Sequence, residues 1–320
     1  MKNIDIYFFP NWTRKAITFT MDDGWLAMDR AFIHIVNPYG IKGSFNISSQ
    51  NITNNNPDEV RALYDGHEIT NHVKHHPFAF CDGESIGEIT DEAFDAETAD
   101  PSLLYRERSE LGDGVYQRCV FNTSSPNNKR WYRTATAEAY IKLTELCKKE
   151  LEEIFGEGKV KGFVWPFCRQ ENSEIIKYLK ANYYGLRDAG RAEPLNDNFS
   201  LPSDRNSWQY NARHSDLLER ARNFEALPDS GELKWFCFGV HSFDFDREGN
   251  WDDLREFCEK YGNRPHNYWY ATNYDIFCYE DAVKSLEISD TAVKNLSDID
   301  LYIKIDERPI KIFAKSEIAL

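Results

Sequence analysis

At 320 residues the chain is long enough for one α/β barrel with additions. A net charge of −15, a pI near 5.0 and the lack of any basic stripe exclude nucleic acid as a partner. With 41% hydrophobic residues and a mean hydropathy of −0.63, no apolar run comes near the ~20 residues that a membrane-spanning helix needs.

The start, Met1 to Tyr7, has no charged head followed by a continuous apolar stretch, so no signal peptide is read and a cytoplasmic location is expected. Thr18 to Met21, β-branched and aromatic with Gly24 as terminator, reads as a buried strand. Asp22 and Asp23 stand where that strand gives way to a loop, so they can diverge and still reach one cavity. Gly40 to Ile47 reads as a second strand. In Gly66-His67-Glu68-Ile69-Thr70-Asn71-His72-Val73-Lys74-His75-His76-Pro77, the four-residue spacing predicts His72 and His76 on one side of a single helical turn, which Pro77 stops. His67 and His75 read as structural, held by local hydrogen bonds.

An Asp-Asp-Gly is usually a solvated turn, and a histidine pair is a surface accident as often as a ligand pair. Their combination is far more specific. One carboxylate and two imidazoles suffice for an open metal site, in which three protein ligands leave room for water, and the other carboxylate stands beside it as a base. An ion held there polarises a carbonyl and acidifies water.

Phe80 to Arg133 is acidic and rich in turn residues, and reads as an insertion that roofs the site or as a solvated excursion. Beyond it the alternation of strand and helix predicts a parallel sheet. Ala139 to Phe155 is a helix with Leu143, Leu146, Cys147, Leu151 and Ile154 on its apolar face, ended by Gly156. Val160 to Trp165 is a strand, Ser173 caps a helix through Leu179, and Tyr183 to Arg187 and Leu233 to Val240 are strands. Asn250 caps a helix with Leu254, Phe257, Cys258 and Tyr261 inward. Tyr268 to Ala271 is a last barrel strand, followed by a closing helix from Asn273 to Leu286. Asp300 to Phe313 alternates at period two around a turn and is predicted to be a hairpin, packed on the barrel or on a neighbouring subunit of a homo-oligomer. The seven scattered cysteines form no Cys-x-x-Cys pair; Cys147, Cys237, Cys258 and Cys278 fall in apolar segments and read as buried and inert.

The strand ending Thr18-Phe19-Thr20-Met21-Asp22-Asp23-Gly24, the His72/His76 stretch, Phe163-Val164-Trp165-Pro166-Phe167 and Gly239-Val240-His241-Ser242 resemble the polysaccharide deacetylase family with the NodB-homology domain. Trp269 to Ile276 is similar to its cytoplasmic-type members. The resemblance covers roughly residues 14 to 285, with about 80 to 135 unmatched. It implies an α/β fold, a distorted and incomplete (β/α) barrel over residues 1–285, with 286–320 as a C-terminal β extension. It further implies Asp22 as general base, His241 as general acid, and Asp23, His72 and His76 as ligands of one divalent metal. Zinc is the expected ion; manganese, cobalt or nickel suit the same ligands. The Phe167 amide would hold the oxyanion, Trp165 and Phe167 would wall the acetyl pocket, and Trp208 would contact substrate.

Two positions depart from the family pattern. The arginine two residues before the motif proline is Val164 here, and Arg187 is the expected replacement, with Arg169 and Arg191 as competitors. The aspartate before the motif tryptophan is Ser207, leaving Asp204 as the nearest carboxylate to tune His241. The function implied is metal-dependent deacetylation of an acetylated oligosaccharide. The alternative on this fold is hydrolysis of a small amide or cyclic ureide, as in proteins that resemble allantoinase.

Overall fold

The computed structural model describes residues 2–79, 137–168, 172–187 and 197–320, together with four short strands between 85 and 135. In chain order the strands are β1 (Ile4–Phe8), β2 (Lys15–Asp23), β3 (Gly43–Ile47), β4 (Glu68–Asn71), β5 (Phe78–Ala79), β6 (Ser85–Thr90), β7 (Leu103–Glu107), β8 (Val115–Val120) and β9 (Thr134–Ala135). They continue as β10 (Gly162–Val164), β11 (Gly185–Arg187), β12 (Lys234–His241), β13 (Trp269–Tyr270), β14 (Glu287–Ile288), β15 (Ala292–Lys294), β16 (Leu301–Ile305), β17 (Arg308–Ile312) and β18 (Glu317–Ala319). The helices are α1 (Leu26–Val36), α2 (Pro57–Leu63), α3 (Ala137–Phe155), α4 (Ser173–Asn182), α5 (Leu217–Ala226), α6 (Ser242–Glu248), α7 (Trp251–Tyr261) and α8 (Asn273–Lys284).

A curled, wholly parallel sheet in the order β11-β10-β4-β3-β2-β12, with β13 also on β2, forms an incomplete (β/α) barrel. Its central strand β2 is buried without interruption from Ala16 to Asp22, the pattern of a parallel strand covered on both faces. Because all these strands run one way, their C-terminal ends share one rim, and register sets the rows across it. His241, Asp22 and Asn46 are successive register partners, Asn46 pairs with Thr70, and Val164 pairs with Arg187.

Helix α3 buries Tyr140, Leu143, Cys147, Leu151 and Ile154, whereas Leu146, expected inward, lies on the flank and is 38% exposed. Helix α7 buries Leu254, Phe257, Cys258 and Tyr261 as its spacing predicts. Asn172, one residue before Ser173, caps α4 through its side chain. Cys147, Cys237 and Cys258 are buried thiols, and Cys278 is half-buried.

Strands β16 and β17 form the antiparallel hairpin expected from the alternation, and β1 pairs with β16 to make a three-stranded sheet. The first strand of the chain thus belongs with the extension rather than with the barrel sheet. A second small sheet, β14-β15-β18, adds to a core of Val293, Ile303, Ile305 and Ile312. Between residues 80 and 135, β6, β8 and β7 form an antiparallel sheet. β9 pairs with β5 in parallel, and the remaining residues of that segment, with Arg169 and Arg191, lie outside the described residues.

Candidate active site

Strand β2 delivers Asp22 and Asp23 to the rim, and the turn that follows requires glycine. Gly24 has φ of +79°, and a Cβ there would lie 2.8 Å from Ile47. Asp23 itself adopts a φ of +78°, which turns its side chain away from that of Asp22.

His72 and His76 do not share a helical turn, contrary to the expectation from their spacing. After β4 the chain enters a tight loop in which Val73, His75 and His76 have φ of 57°, 66° and 48°. Left-handed conformations are costly for residues other than glycine, most of all for a β-branched one such as Val73. The loop is held locally: the Asn71 side chain accepts from the Val73 amide at 2.8 Å and Gln50 accepts from the His75 amide at 2.7 Å. Strain therefore does here what helical periodicity was expected to do, bringing two imidazoles four residues apart onto one point.

That point is Asp23. His72 Nε2 and His76 Nε2 each lie 3.5 Å from Asp23 Oδ1, and the three donor atoms fall within 4.8 Å of one another. Asp23 Oδ1 is buried and without a hydrogen-bond partner among the described residues. His72 Nδ1 is 2.9 Å from the Val164 carbonyl oxygen, an acceptor only, so Nδ1 donates there and Nε2 is turned toward Asp23. Burial, with His72 alongside, brings the His76 imidazole down to about 4 and keeps it neutral near neutrality. Burial alone would raise Asp23, yet the neighbouring histidines hold it well below the usual carboxylate range. A carboxylate oxygen facing two imidazole nitrogens is a donor set that could hold a divalent metal with a position left open.

Asp22 turns the other way, into the barrel. One Arg187 guanidinium nitrogen reaches its two oxygens at 2.6 and 2.5 Å, and the other donates to Thr20 Oγ1 at 3.2 Å. Register explains how Arg187 stands in for Val164: the two are partners across β10 and β11, so their side chains project to the same face. Asn46 Nδ2 donates to Asp22 Oδ1 at 2.7 Å and to Thr20 Oγ1 at 2.8 Å, while its own oxygen accepts from Thr70. Burial would raise the Asp22 carboxyl, but Arg187, with His72 and His241, outweighs it and holds the group below its ordinary value.

His241 ends β12 opposite Asp22. Its Nε2 faces Asp23 Oδ2 at 3.8 Å, and its Nδ1 lies 3.1 Å from Asp244 Oδ2. Burial pulls this imidazole down, but the Asp244 hydrogen bond and the charges of Asp22 and Asp23 prevail and hold it above its ordinary value. Asp244 also accepts from the His241 amide, and Arg247 pairs with it at 2.8 Å. Ser242, the next residue, donates to Asp29 Oδ1 at 2.6 Å, which ties the start of α6 to α1. Gly239 is required behind the histidine, because a Cβ there would lie 2.0 Å from the Tyr210 ring. That ring also covers the Arg187 guanidinium, 5.4 Å from its centroid.

The carboxylate beside His241 is Asp244, not Asp204. Asp204 lies in an exposed turn, where its side chain accepts from the Asn206 amide at 2.8 Å. The signal in the sequence is the His-x-x-Asp spacing of 241 to 244, which places an acid three residues beyond a helix N-cap. Trp165 does not wall the site. Val164 faces the barrel interior, so strand alternation sends Trp165 outward, where it is buried and stacks on Tyr140 of α3 at 5.9 Å. Trp208, bridged through its backbone to Arg187, turns its indole into the interior, buried against Trp235 and Phe277 and closed to a substrate. Phe167, in the turn after β10, stays 40% exposed with its ring 4.5 Å from that of His76. Of the remaining histidines, His67 is held by the Gly43 amide and Asn37, outside the cluster. Asn46 was missed from the sequence; its signal was an amide within the otherwise apolar end of a buried strand.

The family model described as polysaccharide deacetylase matches residues 10–186, more than half of the 320 residues, and the chain belongs to that family. Its members are hydrolases that remove acetyl groups from polysaccharides. Among solved structures, a Mycobacterium smegmatis protein assigned as a polysaccharide deacetylase is 15% identical and shares the fold at a TM-score of 0.52, over 87% of this chain and 94% of its own. The Xyl-CE4 domain of a multidomain xylanase from the hindgut metagenome of Trinervitermes trinervoides is 15% identical at a TM-score of 0.45, over 84% and 92%. A family 4 carbohydrate esterase from Streptomyces lividans, in complex with acetate, is 11% identical at a TM-score of 0.40, over 76% and 86%. No curated protein matches the chain.

Proposed function

We propose that this chain is a metal-dependent deacetylase of an acetylated saccharide. The observation that carries the reading is the convergence of Asp23, His72 and His76 beside the Asp22–Arg187 pair, with His241 facing them. Asp23 Oδ1 and the two Nε2 atoms would hold one divalent ion, zinc by ligand type, with manganese, cobalt or nickel as substitutes. When bound, that ion supplies Lewis acidity to the acetyl carbonyl and to the attacking water.

Asp22, kept ionised by Arg187 and aimed by Asn46, takes the proton of the attacking water as general base. His241, its Nδ1 proton fixed on Asp244, carries the proton at Nε2 and gives it to the departing nitrogen or oxygen. The turn carrying the Phe167 amide adjoins His76, on the side where an oxyanion would develop. Amide and ester cleavage pass through the same tetrahedral transition state, so this machinery serves N- and O-acetyl groups alike.

Acetate release from N- and O-acetylated oligosaccharides, with and without added zinc, tests the reading. Zinc-dependent release from at least one of them is expected. Release from none, alongside hydrolysis of a small amide or cyclic ureide, would overturn it.

A further inference from the structure

Trp25 has a placement that the acid–base machinery does not explain. It is the N-cap residue of α1, yet its side chain makes no cap hydrogen bond. Ser, Thr, Asp or Asn there would satisfy an orphan helix amide, and tryptophan forfeits that bond. Nor does Trp25 recover anything by burial, since it remains 53% exposed.

The indole is nevertheless fixed. Its Nε1–H donates to Asp23 Oδ2 at 3.3 Å. Its ring meets Phe243 nearly edge-on, with centroids 5.8 Å apart at 76°. Phe243 in turn stacks on His241 at 4.6 Å and 15°. A continuous ring wall thus runs from the exposed indole to the imidazole facing Asp23. A residue that breaks the local capping rule, stays in solvent and is still held rigid beside reactive groups is where function is expected to override local stability. A flat aromatic face beside a polar centre suits a ring with one C–H face and a hydroxylated rim.

We propose that Trp25 is a specificity-determining residue whose exposed indole face carries the pyranose ring bearing the scissile acetyl group. The proposal rests on the deacetylase reading and adds how the saccharide is held: its ring stacks on the indole, a contact that an isolated acetyl ester or amide lacks.

The test uses zinc-loaded wild type, Trp25→Ala and Trp25→Phe on tetra-N-acetylchitotetraose, O-acetylated xylotetraose and 4-nitrophenyl acetate, which has no sugar ring. In Trp25→Ala the ratio of saccharide to 4-nitrophenyl acetate kcat/KM falls about ten-fold, the size of one aromatic stacking contact, mainly through KM. Trp25→Phe, which restores a ring, recovers most of that loss. Without turnover, titrating the saccharide into Asp22→Asn shifts the indole fluorescence, and the shift is lost in Asp22→Asn/Trp25→Phe. An unchanged ratio in Trp25→Ala, or a fluorescence shift that survives loss of the indole, overturns the proposal while leaving the deacetylase reading intact. Failure of wild type to release acetate from either saccharide overturns both.

Discussion

Arg187 and Asp22 form a pair in which each side chain depends on the other. Both are buried, and the guanidinium touches both carboxylate oxygens. Removing one partner of such a pair leaves an uncompensated charge, so Arg187→Met is expected to cost about 3–5 kcal/mol in urea unfolding. The pair also sets a pH dependence. Asp22 is held below its unfolded value, so the stability it contributes is present above the unfolded pKa and lost as pH falls through the folded one. Without Arg187 burial prevails, the carboxyl rises, and the acidic limb of kcat/KM moves to higher pH; an unmoved limb would remove Arg187 from this role. His241 has the opposite sign. It is held above its ordinary value, so its charged form is favoured below the unfolded pKa and is lost as pH rises through the folded one. Asp244→Asn keeps an acceptor but removes the charge, so the alkaline limb of kcat moves to lower pH. Each unit lost costs about ten-fold in protonated His241 on that limb. A profile superimposable on wild type would exclude Asp244 as the residue that tunes the acid. The chemistry-bearing types were legible in the sequence, since two carboxylates and two imidazoles in that order permit little else. Arg187 was legible because it ends a strand on the same rim. Asp244 was not legible, because its link to His241 lies in the cap of a short helix, whereas the family pattern points to a carboxylate beside the tryptophan at 208.

Among the elements, barrel strands β2, β3, β10, β11, β12 and β13 were legible through their apolar runs, with ends within a few residues of expectation, whereas β4, the strand that leads into His72, was not read as a strand. The His72–His76 loop was not. Residues spaced by four suggest a helix, but three left-handed residues stand here instead, the Val73 and His75 amides donating to the Asn71 and Gln50 side chains, and nothing local announces that. Trp165 and Trp208 were misplaced for a related reason: which face of a strand meets the core depends on its neighbours. The opposite end of the sheet makes its own prediction. Glu68 begins β4, where its carboxylate accepts from Ser44 Oγ at 2.5 Å and from the Tyr274 amide at 3.1 Å, at the start of α8. Burial pushes it up to about 7, against those hydrogen bonds. Its folded pKa exceeds its ordinary 4.5, so its contribution is full below that value and is lost as pH rises through about 7. Glu68→Gln keeps an acceptor and removes the titration. Urea unfolding at about pH 5 and about pH 8 should therefore show wild type losing stability relative to the variant as pH rises. Parallel behaviour would contradict the assignment.

At the scale of the whole molecule, the two ends of the chain meet, because β1 pairs with β16. Phe9 and Leu301 share a core with Trp235, Ile276 and Tyr279, so the extension is continuous with the apolar packing around the barrel. The hairpin was legible from its period-two alternation; its pairing with the first strand was not, since nothing local links residues about 300 apart. Ile303, fully buried among Val293, Ile305 and Ile312, gauges how far the extension supports the fold. Ile303→Ala should cost about 2–5 kcal/mol and lower the Tm in one cooperative transition, with kcat/KM unaltered. A separate early transition would show that the extension unfolds on its own.

In the proposed reading the barrel rim builds one divalent-metal site from Asp23, His72 and His76, with Asp22 and His241 outside it. Calorimetric titration of zinc into chelator-treated protein tests this most directly. One ion per chain is expected in wild type, in Asp22→Asn and in His241→Ala, with binding lost in Asp23→Asn and in His76→Ala. Stoichiometric binding that survives in both Asp23→Asn and His76→Ala, or that is abolished by Asp22→Asn, would contradict the account.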